Sequence, residues 1–165
     1  MDKSNTHVKD NIMEKEKKAV NYHKRKFNCA QSVFTVFGQD FGISEDDCLK
    51  LSCAFGGGMG RKQNVCGAVT GALMALGLKY GKGINDPEEN KMLTYSKTSE
   101  FFRQFRKLNG SIVCRELLDD LDLNNPDDYK QIAEQNLFEI KCEKYMADAV
   151  RITEKLIEQT RNNIK

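Results

Sequence analysis

The sequence predicts an all-α fold, a single-domain helical bundle over residues 1–165 in which a glycine-rich loop precedes a central helix. Apolar residues recur three and four positions apart through most of the chain, which is the spacing of one helix face. No segment alternates apolar and polar residues as a half-buried strand would. A chain of this length buries about two-thirds of its unfolded surface, so it needs no disulfides to fold. The polar residues 1–8 are expected to be flexible.

The first half of the chain predicts three helices. The first covers about residues 9–25, and the second runs from Asn28, a residue type that caps helices, to about Asp40. Ser44 caps the third helix, in which Asp47 stands at the third helical position as in a capping box. Two of these three helix starts therefore rest on a capping side chain.

The second half predicts five more helices, two of which begin at prolines. Pro87 and Pro126 each follow Asp or Asn and precede acidic residues, as is typical of the first helical position. The five ranges are about 63–80, ending before Gly81 and Gly83; 87–109, stopping at Gly110; a short helix opened by Ser111; a helix starting at Pro126; and about Lys141 to Arg161.

The charge balance does not indicate a nucleic-acid or membrane partner. Charged residues are 30% of the chain, but the net charge is only +2. The basic runs "KEKKAV" and "HKRKF" are therefore interpreted as solvated helix faces. No window reaches the ~18 apolar residues of a membrane helix. The N-terminal residues lack the apolar core of a signal peptide, so we expect a cytoplasmic protein with reduced thiols.

The stretch "FGGGMGRKQNVCGAVTG", residues 55 to 71, is the most unusual part of the chain. It lacks the GK[ST] of a P-loop and no predicted strand precedes it, so phosphate is the ligand that it is least expected to bind. Glycine amides before a helix N-terminus form an anion-friendly nest. We expect this loop to make Cys66 accessible, and to offer its amides to a cofactor through Gly56, Gly57, Gly58, Gly60 and Gly67.

Four of the six cysteines are predicted to face inward, each near the first turn of its helix: Cys29, Cys66, Cys114 and Cys142. A helix N-terminus favours the thiolate, which is the form that attacks disulfides and binds metals. The competing interpretation is four ordinary core cysteines. Cys48 and Cys53 diverge by roughly 140° on a continuous helix, so they do not form a redox pair. Structural roles are favoured for both, and an accessory thiol near the glycine-rich loop is the alternative for Cys53.

These features resemble the C_GCAxxG_C_C family, whose members are small bacterial proteins described as redox-active. The resemblance covers about residues 22–155 and is carried by "FNCAQSVF", "GGGMGRKQNVCGAVTGALMALGL", Cys114 with Leu118, and the final helix with Cys142. The CGAxxG box stands at residues 66–71. The resemblance implies that Cys29, Cys66, Cys114 and Cys142 are the signature cysteines and that they carry redox or metal chemistry.

Two functional hypotheses follow from the four thiols. In the first, they ligate a metal, either an iron–sulfur cluster or zinc, for electron transfer to an unidentified redox partner protein. In the second, the protein is a thiol–disulfide redox protein. Cys66 is then the attacking thiolate, held by Arg61 and Lys62, and another signature cysteine resolves the mixed disulfide. Either would make the protein an oxidoreductase. A non-catalytic protein that stores or transfers metal is the third alternative.

Three further expectations concern positions outside the thiols. His7 and His23 lie in no recognisable catalytic or ligand motif, so both are expected on the surface. Gly67 and Gly71 have no side chains, so one face of their helix lacks bulky groups. This predicts close packing against a neighbouring helix. A second copy of the chain could also use that face, so a homodimer is an alternative.

Overall fold

The computed structural model describes the backbone of residues 3–162 and the side chains of residues 9–158. Within these residues the protein is all-α, as predicted. Its eight helices are α1 (Lys3–Lys24), α2 (Cys29–Gly38), α3 (Glu45–Ser52), α4 (Gly67–Tyr80), α5 (Glu89–Asn109), α6 (Cys114–Leu117), α7 (Pro126–Glu134) and α8 (Glu143–Asn162). The expected flexibility of residues 1–8 stays a prediction, since residues 1 and 2 and the side chains of 3–8 lie outside the described part.

Capping side chains fix the starts of α2 and α3, as predicted, and another caps α7. The side chain of Asn28 accepts a hydrogen bond from the Gln31 amide, and the Gln31 side chain accepts one from the Asn28 amide. Ser44 accepts from the amide of Asp47 at 3.1 Å. Asn125 caps α7, which has Pro126 in its first turn.

The predicted helix starts are wrong at four places. Helix α1 begins at Lys3 rather than near residue 9. Helix α4 begins at Gly67 rather than near residue 63, because Val65 in between pairs with Val113. Pro87 precedes α5, which begins at Glu89. Ser111 precedes α6 by three residues; its hydroxyl instead accepts from the Val113 amide.

Helix α4 is the central helix of the bundle. It is apolar all round, and its buried residues include Ala68, Val69, Ala72 and Leu76. It packs against α2 on one side and against α5 and α8 on the other, while α1 covers α8. Phe101 and Phe105 of α5 are fully buried, and burial of each such side chain contributes about 1.5–3 kcal/mol.

Two glycines let α4 approach α2 closely, as predicted. A Cβ on Gly71 would lie 2.8 Å from the carbonyl oxygen of Ala30, and one on Gly67 would lie 3.1 Å from the Cβ of Cys29. The small-residue face is therefore covered by α2 of the same chain, and it gives no support to a homodimer. No helix among the described residues is long and apolar enough to cross a membrane.

The glycine-rich loop is a left-handed turn, which we call the glycine turn (residues 56–61). Each residue from 57 to 61 has a positive φ, including Met59 at 69° and Arg61 at 64°. The amide of Gln63 reaches back to the carbonyl of Gly57 at 3.1 Å. Left-handed backbone costs about 1–2 kcal/mol per non-glycine residue, so glycine at three of these five positions limits the strain.

Candidate functional site: a cluster of four thiols

Cys29 and Cys142 meet where α2 and α8 begin. Cys29 is the first residue of α2, and Cys142 ends the short π-helix Phe138–Cys142 that leads into α8. The Cys142 thiol donates a hydrogen bond to the sulfur of Cys29. Cys142 is buried, whereas part of Cys29 is exposed. Because both residues also line one cavity, they are a candidate pair for a disulfide.

Cys66 and Cys114 are held together by a short antiparallel bridge. The Cys66 amide donates to the Ile112 carbonyl at 2.8 Å, and the Cys114 amide donates to the Asn64 carbonyl at 2.6 Å. Val65 and Val113 lie between these two bonds. Side chains alternate along such segments, so Cys66 and Cys114 project to the same side of the bridge as diagonal neighbours.

The four signature cysteines form one group, which we call the thiol cluster. Charge on Cys29 acts on Cys66 and Cys114, and charge on Cys66 and Cys114 acts on Cys142. The expectation that the four thiols face inward, each beside a helix start, is met. The structure thus brings together side chains from four separate segments.

The thiols of the cluster differ in acidity. The hydrogen bond from Cys142 lowers the pKa of Cys29, and a backbone N–H adds to this, while burial acts in the opposite direction. The same bond raises the pKa of Cys142, because its proton is held between the two sulfurs, and burial raises it further. Cys29 is therefore the preferred position for a thiolate.

Burial controls the other two thiols. It raises the pKa of Cys114 to about 12. It also raises the pKa of Cys66, and the backbone N–H groups of Ala68 and Val69 offset only part of that effect. Only 5% of Cys66 is exposed. The expectation that the loop makes Cys66 accessible is wrong, because Cys66 is buried in the hydrophobic core.

Three thiols of the cluster line a cavity of about 180 Å³, which we call the thiol cavity: Cys29, Cys114 and Cys142. Leu118, Leu123 and Phe138 make much of the remaining wall apolar. His23, Arg61 and Tyr129 also line it. The cavity therefore gives a ligand direct access to Cys29 but not to Cys66.

Sequence reasoning missed the polar residues at the cavity. His23 was expected on the surface but is partly buried there, with Nδ1 3.5 Å from the Glu143 carboxylate. The side chain of His7 lies outside the described residues. Arg61 was expected beside Cys66; instead its guanidinium lies 5.1 Å from the centre of the Tyr129 ring and donates to the Leu123 carbonyl. Lys62 is exposed. No sequence signal joins positions this far apart.

The five glycines expected to bind a cofactor have different surroundings. Gly57 lines the thiol cavity, and Gly58 packs beneath the Cβ of Cys114. Gly56 packs against the Asn28 side chain, and Gly67 packs against α2. Gly60 is exposed. Most of these glycines thus permit close approach of backbone and side chains around the cluster.

Cys48 and Cys53 lie outside the thiol cluster. Cys48 is buried where α3 meets α2, and a Cβ on Gly38 would lie 2.4 Å from its sulfur. Cys53 is exposed. This placement agrees with a packing role for Cys48. Because Cys53 is exposed, it would react with thiol reagents and is best replaced when the reactivity of the cluster is measured.

The thiol cluster has suitable donor atoms for a metal, but their arrangement does not form a metal site among the described residues. Four thiols are a suitable donor set for zinc or an iron–sulfur cluster. In the part of the chain that the structure describes, however, no three His, Cys, Asp or Glu side chains are arranged to hold a metal ion. A metal centre would therefore require the thiols to rearrange.

Comparisons with known proteins identify a matching family and a relative. The family described as "Putative redox-active protein (C_GCAxxG_C_C)" matches residues 27–156. A protein of Archaeoglobus fulgidus, named "Uncharacterized protein", is 31% identical in an alignment of 133 positions that covers 76% of this chain and 82% of that protein. No solved structure matches the chain. The matched region contains all six cysteines.

Proposed function

The chain belongs to the C_GCAxxG_C_C family, and from this membership and the arrangement of its thiols we propose that it is a thiol–disulfide redox protein. Its working pair is Cys29 and Cys142. One observation carries the proposal: Cys29 and Cys142 both line the wall of a cavity that a ligand can enter.

The proposed cycle consists of two exchange steps. The Cys29 thiolate attacks one sulfur of a disulfide RSSR, forming a mixed disulfide and releasing RS⁻, which takes up a proton. Cys142, deprotonated as it attacks, then displaces the second RS⁻ from Cys29. The protein loses two electrons and closes the Cys29–Cys142 disulfide, while RSSR becomes two thiols. A dithiol reductant restores the pair by the reverse exchange.

Three features support Cys29 rather than Cys66 as the attacking thiol. Cys29 is partly exposed and lines the thiol cavity, whereas Cys66 is buried and does not line it. The Cys142 hydrogen bond lowers the pKa of Cys29, and burial raises the pKa of Cys66. Cys29 also begins the ten-residue helix α2, whose N-terminus favours negative charge.

A four-cysteine metal centre is the second candidate function. It is favoured by the mutual electrostatic interaction of all four thiols, which places them in one neighbourhood. In this candidate Cys29, Cys66, Cys114 and Cys142 would hold zinc or an iron–sulfur cluster, which would supply electron transfer or structural stabilisation. The protein would then carry or transfer metal rather than exchange disulfides.

The test of the dithiol candidate is to find which cysteines become linked. The protein, prepared without oxygen in a Cys53→Ser background, is treated with 2-hydroxyethyl disulfide, alkylated and mapped by mass spectrometry. We expect two thiols to be lost and one linked peptide pair, Cys29 with Cys142. Cys142→Ser should instead accumulate the mixed disulfide at Cys29, and Cys48→Ser should behave as the parent.

Metal analysis separates the two candidates. Iron, zinc and acid-labile sulfide are measured on protein purified anaerobically from cells supplied with iron, together with the visible spectrum. Stoichiometric metal that is lost in Cys66→Ser would favour the metal centre. A metal-free protein that never links Cys29 to Cys142 would overturn the dithiol proposal.

A further inference from the structure

A second hollow lies directly outside the thiol cavity. This surface groove, which we call the entry groove, has a volume of about 550 Å³. The two hollows share five lining residues: His23, Asn28, Arg61, Tyr129 and Phe138. Because they share these walls, a molecule in the groove lies next to the opening that leads to Cys29.

The two volumes limit the size of a substrate. The thiol cavity, at about 180 Å³, has room for only a small part of a substrate, such as one sulfur and the carbon atoms next to it. The entry groove, at about 550 Å³, falls in the usual range of small-molecule sites. Tyr129 and Phe138 form a tilted ring pair in its wall, with centroids 6.0 Å apart. A low-molecular-weight disulfide could therefore place one sulfur inside and the rest of the molecule in the groove.

The groove carries an excess of uncommitted positive charge. Lys24 and Lys26, from the end of α1, line it, and neither has an ion pair or hydrogen bond among the described side chains. Arg61 donates to the backbone carbonyl of Leu123 and pairs with no carboxylate among the described side chains.

The groove contains fewer negative than positive side chains. Its two carboxylates belong to Glu139 and Glu143, and Glu143 lies within 3.5 Å of His23. Three Lys and Arg side chains thus face two carboxylates, so positive charge exceeds negative charge in the groove. The run "HKRKF" was interpreted as a solvated helix face, but the structure places two of its lysines beside the site.

We propose that the entry groove selects low-molecular-weight disulfides that bear carboxylates, with Lys24, Lys26 and Arg61 receiving the carboxylates while a substrate sulfur reaches Cys29. This rests on the proposed thiol–disulfide function. A positively charged cleft raises the local concentration of anions and their rate of association, and added salt screens the effect.

The test is a series of disulfides that differ mainly in charge. In the Cys53→Ser background, rates of Cys29–Cys142 oxidation are measured with 3,3′-dithiodipropionate, 2-hydroxyethyl disulfide and cystamine. Each rate is divided by the rate of the same disulfide with a simple thiol. We expect the anionic disulfide to exceed the neutral one by about tenfold at low salt, and the cationic one to be slowest. Added salt should reduce both the anion's advantage and the cation's disadvantage, and it should leave the neutral disulfide's rate unchanged.

Matched variants identify the groove as the source of the selectivity. Lys24→Gln with Lys26→Gln should remove most of the anion's advantage and leave the neutral disulfide's rate unchanged. Lys107→Gln changes an exposed lysine outside the groove and should have no effect. Equal corrected rates for the three disulfides would overturn the selectivity alone. Failure of every disulfide to link Cys29 with Cys142 would overturn the proposed function as well.

Discussion

A Cβ on Gly58 would lie 2.7 Å from the Cβ of Cys114, so the glycine turn and the start of α6 are in direct contact. The same Cβ would lie 2.8 Å from the Asn64 amide nitrogen. Gly58 also has a φ of 65°. The position therefore requires glycine for two reasons, its backbone conformation and its lack of a side chain.

Gly58→Ala should destabilise the protein by about 2–5 kcal/mol, which combines the left-handed backbone cost with overpacking. Gly42→Ala is the matched control, because Gly42 has a φ of 81° but nothing within 4 Å of its Cβ position. It should lose only about 1–2 kcal/mol. Urea denaturation followed by circular dichroism measures both, and equal losses would show that the contact with Cys114 is unimportant.

Gly71 and Gly77 of α4 should respond to alanine with opposite signs. A Cβ on Gly71 would meet the Ala30 carbonyl oxygen at 2.8 Å, so Gly71→Ala should push α2 from α4 and cost about 1–3 kcal/mol. Nothing lies within 4 Å of the Gly77 Cβ position, so Gly77→Ala should gain about 0.5–1 kcal/mol from helix propensity. Thermal unfolding ranks the two variants, and destabilisation of both would contradict this account of α4.

The helices could be predicted from the sequence because periodicity and caps are local signals. Asn28 and Ser44 are residue types whose side chains cap helices, so each marks a helix start in the sequence. The left-handed glycine turn has no periodicity, and the pairing of Val65 with Val113 depends on a distant segment, so both were missed. The inward thiols could be predicted from helix faces. Their unequal exposure could not, because it depends on which helices cover Cys66.

Stability should fall as pH rises above about 9. Unfolded thiols lose their protons near this pH, while folded Cys114 keeps its proton to about pH 12. The raised pKa thus contributes stability that is complete below the unfolded pKa and is lost between these limits, at about 1.4 kcal/mol per pH unit. The lowered pKa of Cys29 has the opposite effect on stability: it makes the free energy of unfolding rise with pH, and only below about pH 9.

Cys114→Ala should therefore make the alkaline decline shallower by about 1.4 kcal/mol per pH unit. Cys53→Ala, which changes an exposed thiol, should keep the parent's slope. Free energies of unfolding from urea titrations at pH 8, 9 and 10, under a reducing agent, give both slopes. An unchanged slope in Cys114→Ala would mean that this thiol titrates normally in the folded protein.

Cys142→Ala should make Cys29 a weaker acid. The Cys142 thiol donates to the Cys29 sulfur, and loss of that donor removes a bond that favours the charged form. The pH midpoint of iodoacetamide alkylation at Cys29, measured in the Cys53→Ser background, should move upward. Cys48→Ala is the control, since Cys48 lies away from the pair. A midpoint that stays in place would show that Cys142 does not set the acidity of Cys29.

The cap at Asn28 should affect reactivity as well as stability. Asn28→Ala and Ser44→Ala each remove a capping side chain, so each should cost about 1 kcal/mol. Only Asn28 precedes Cys29, and its side chain also donates to the Cys53 carbonyl at 2.9 Å. Loosening that end of α2 should move Cys29 away from Cys142. We therefore expect slower alkylation of Cys29 at pH 7 in Asn28→Ala alone, and the same slowing in Ser44→Ala would assign it to general loss of stability.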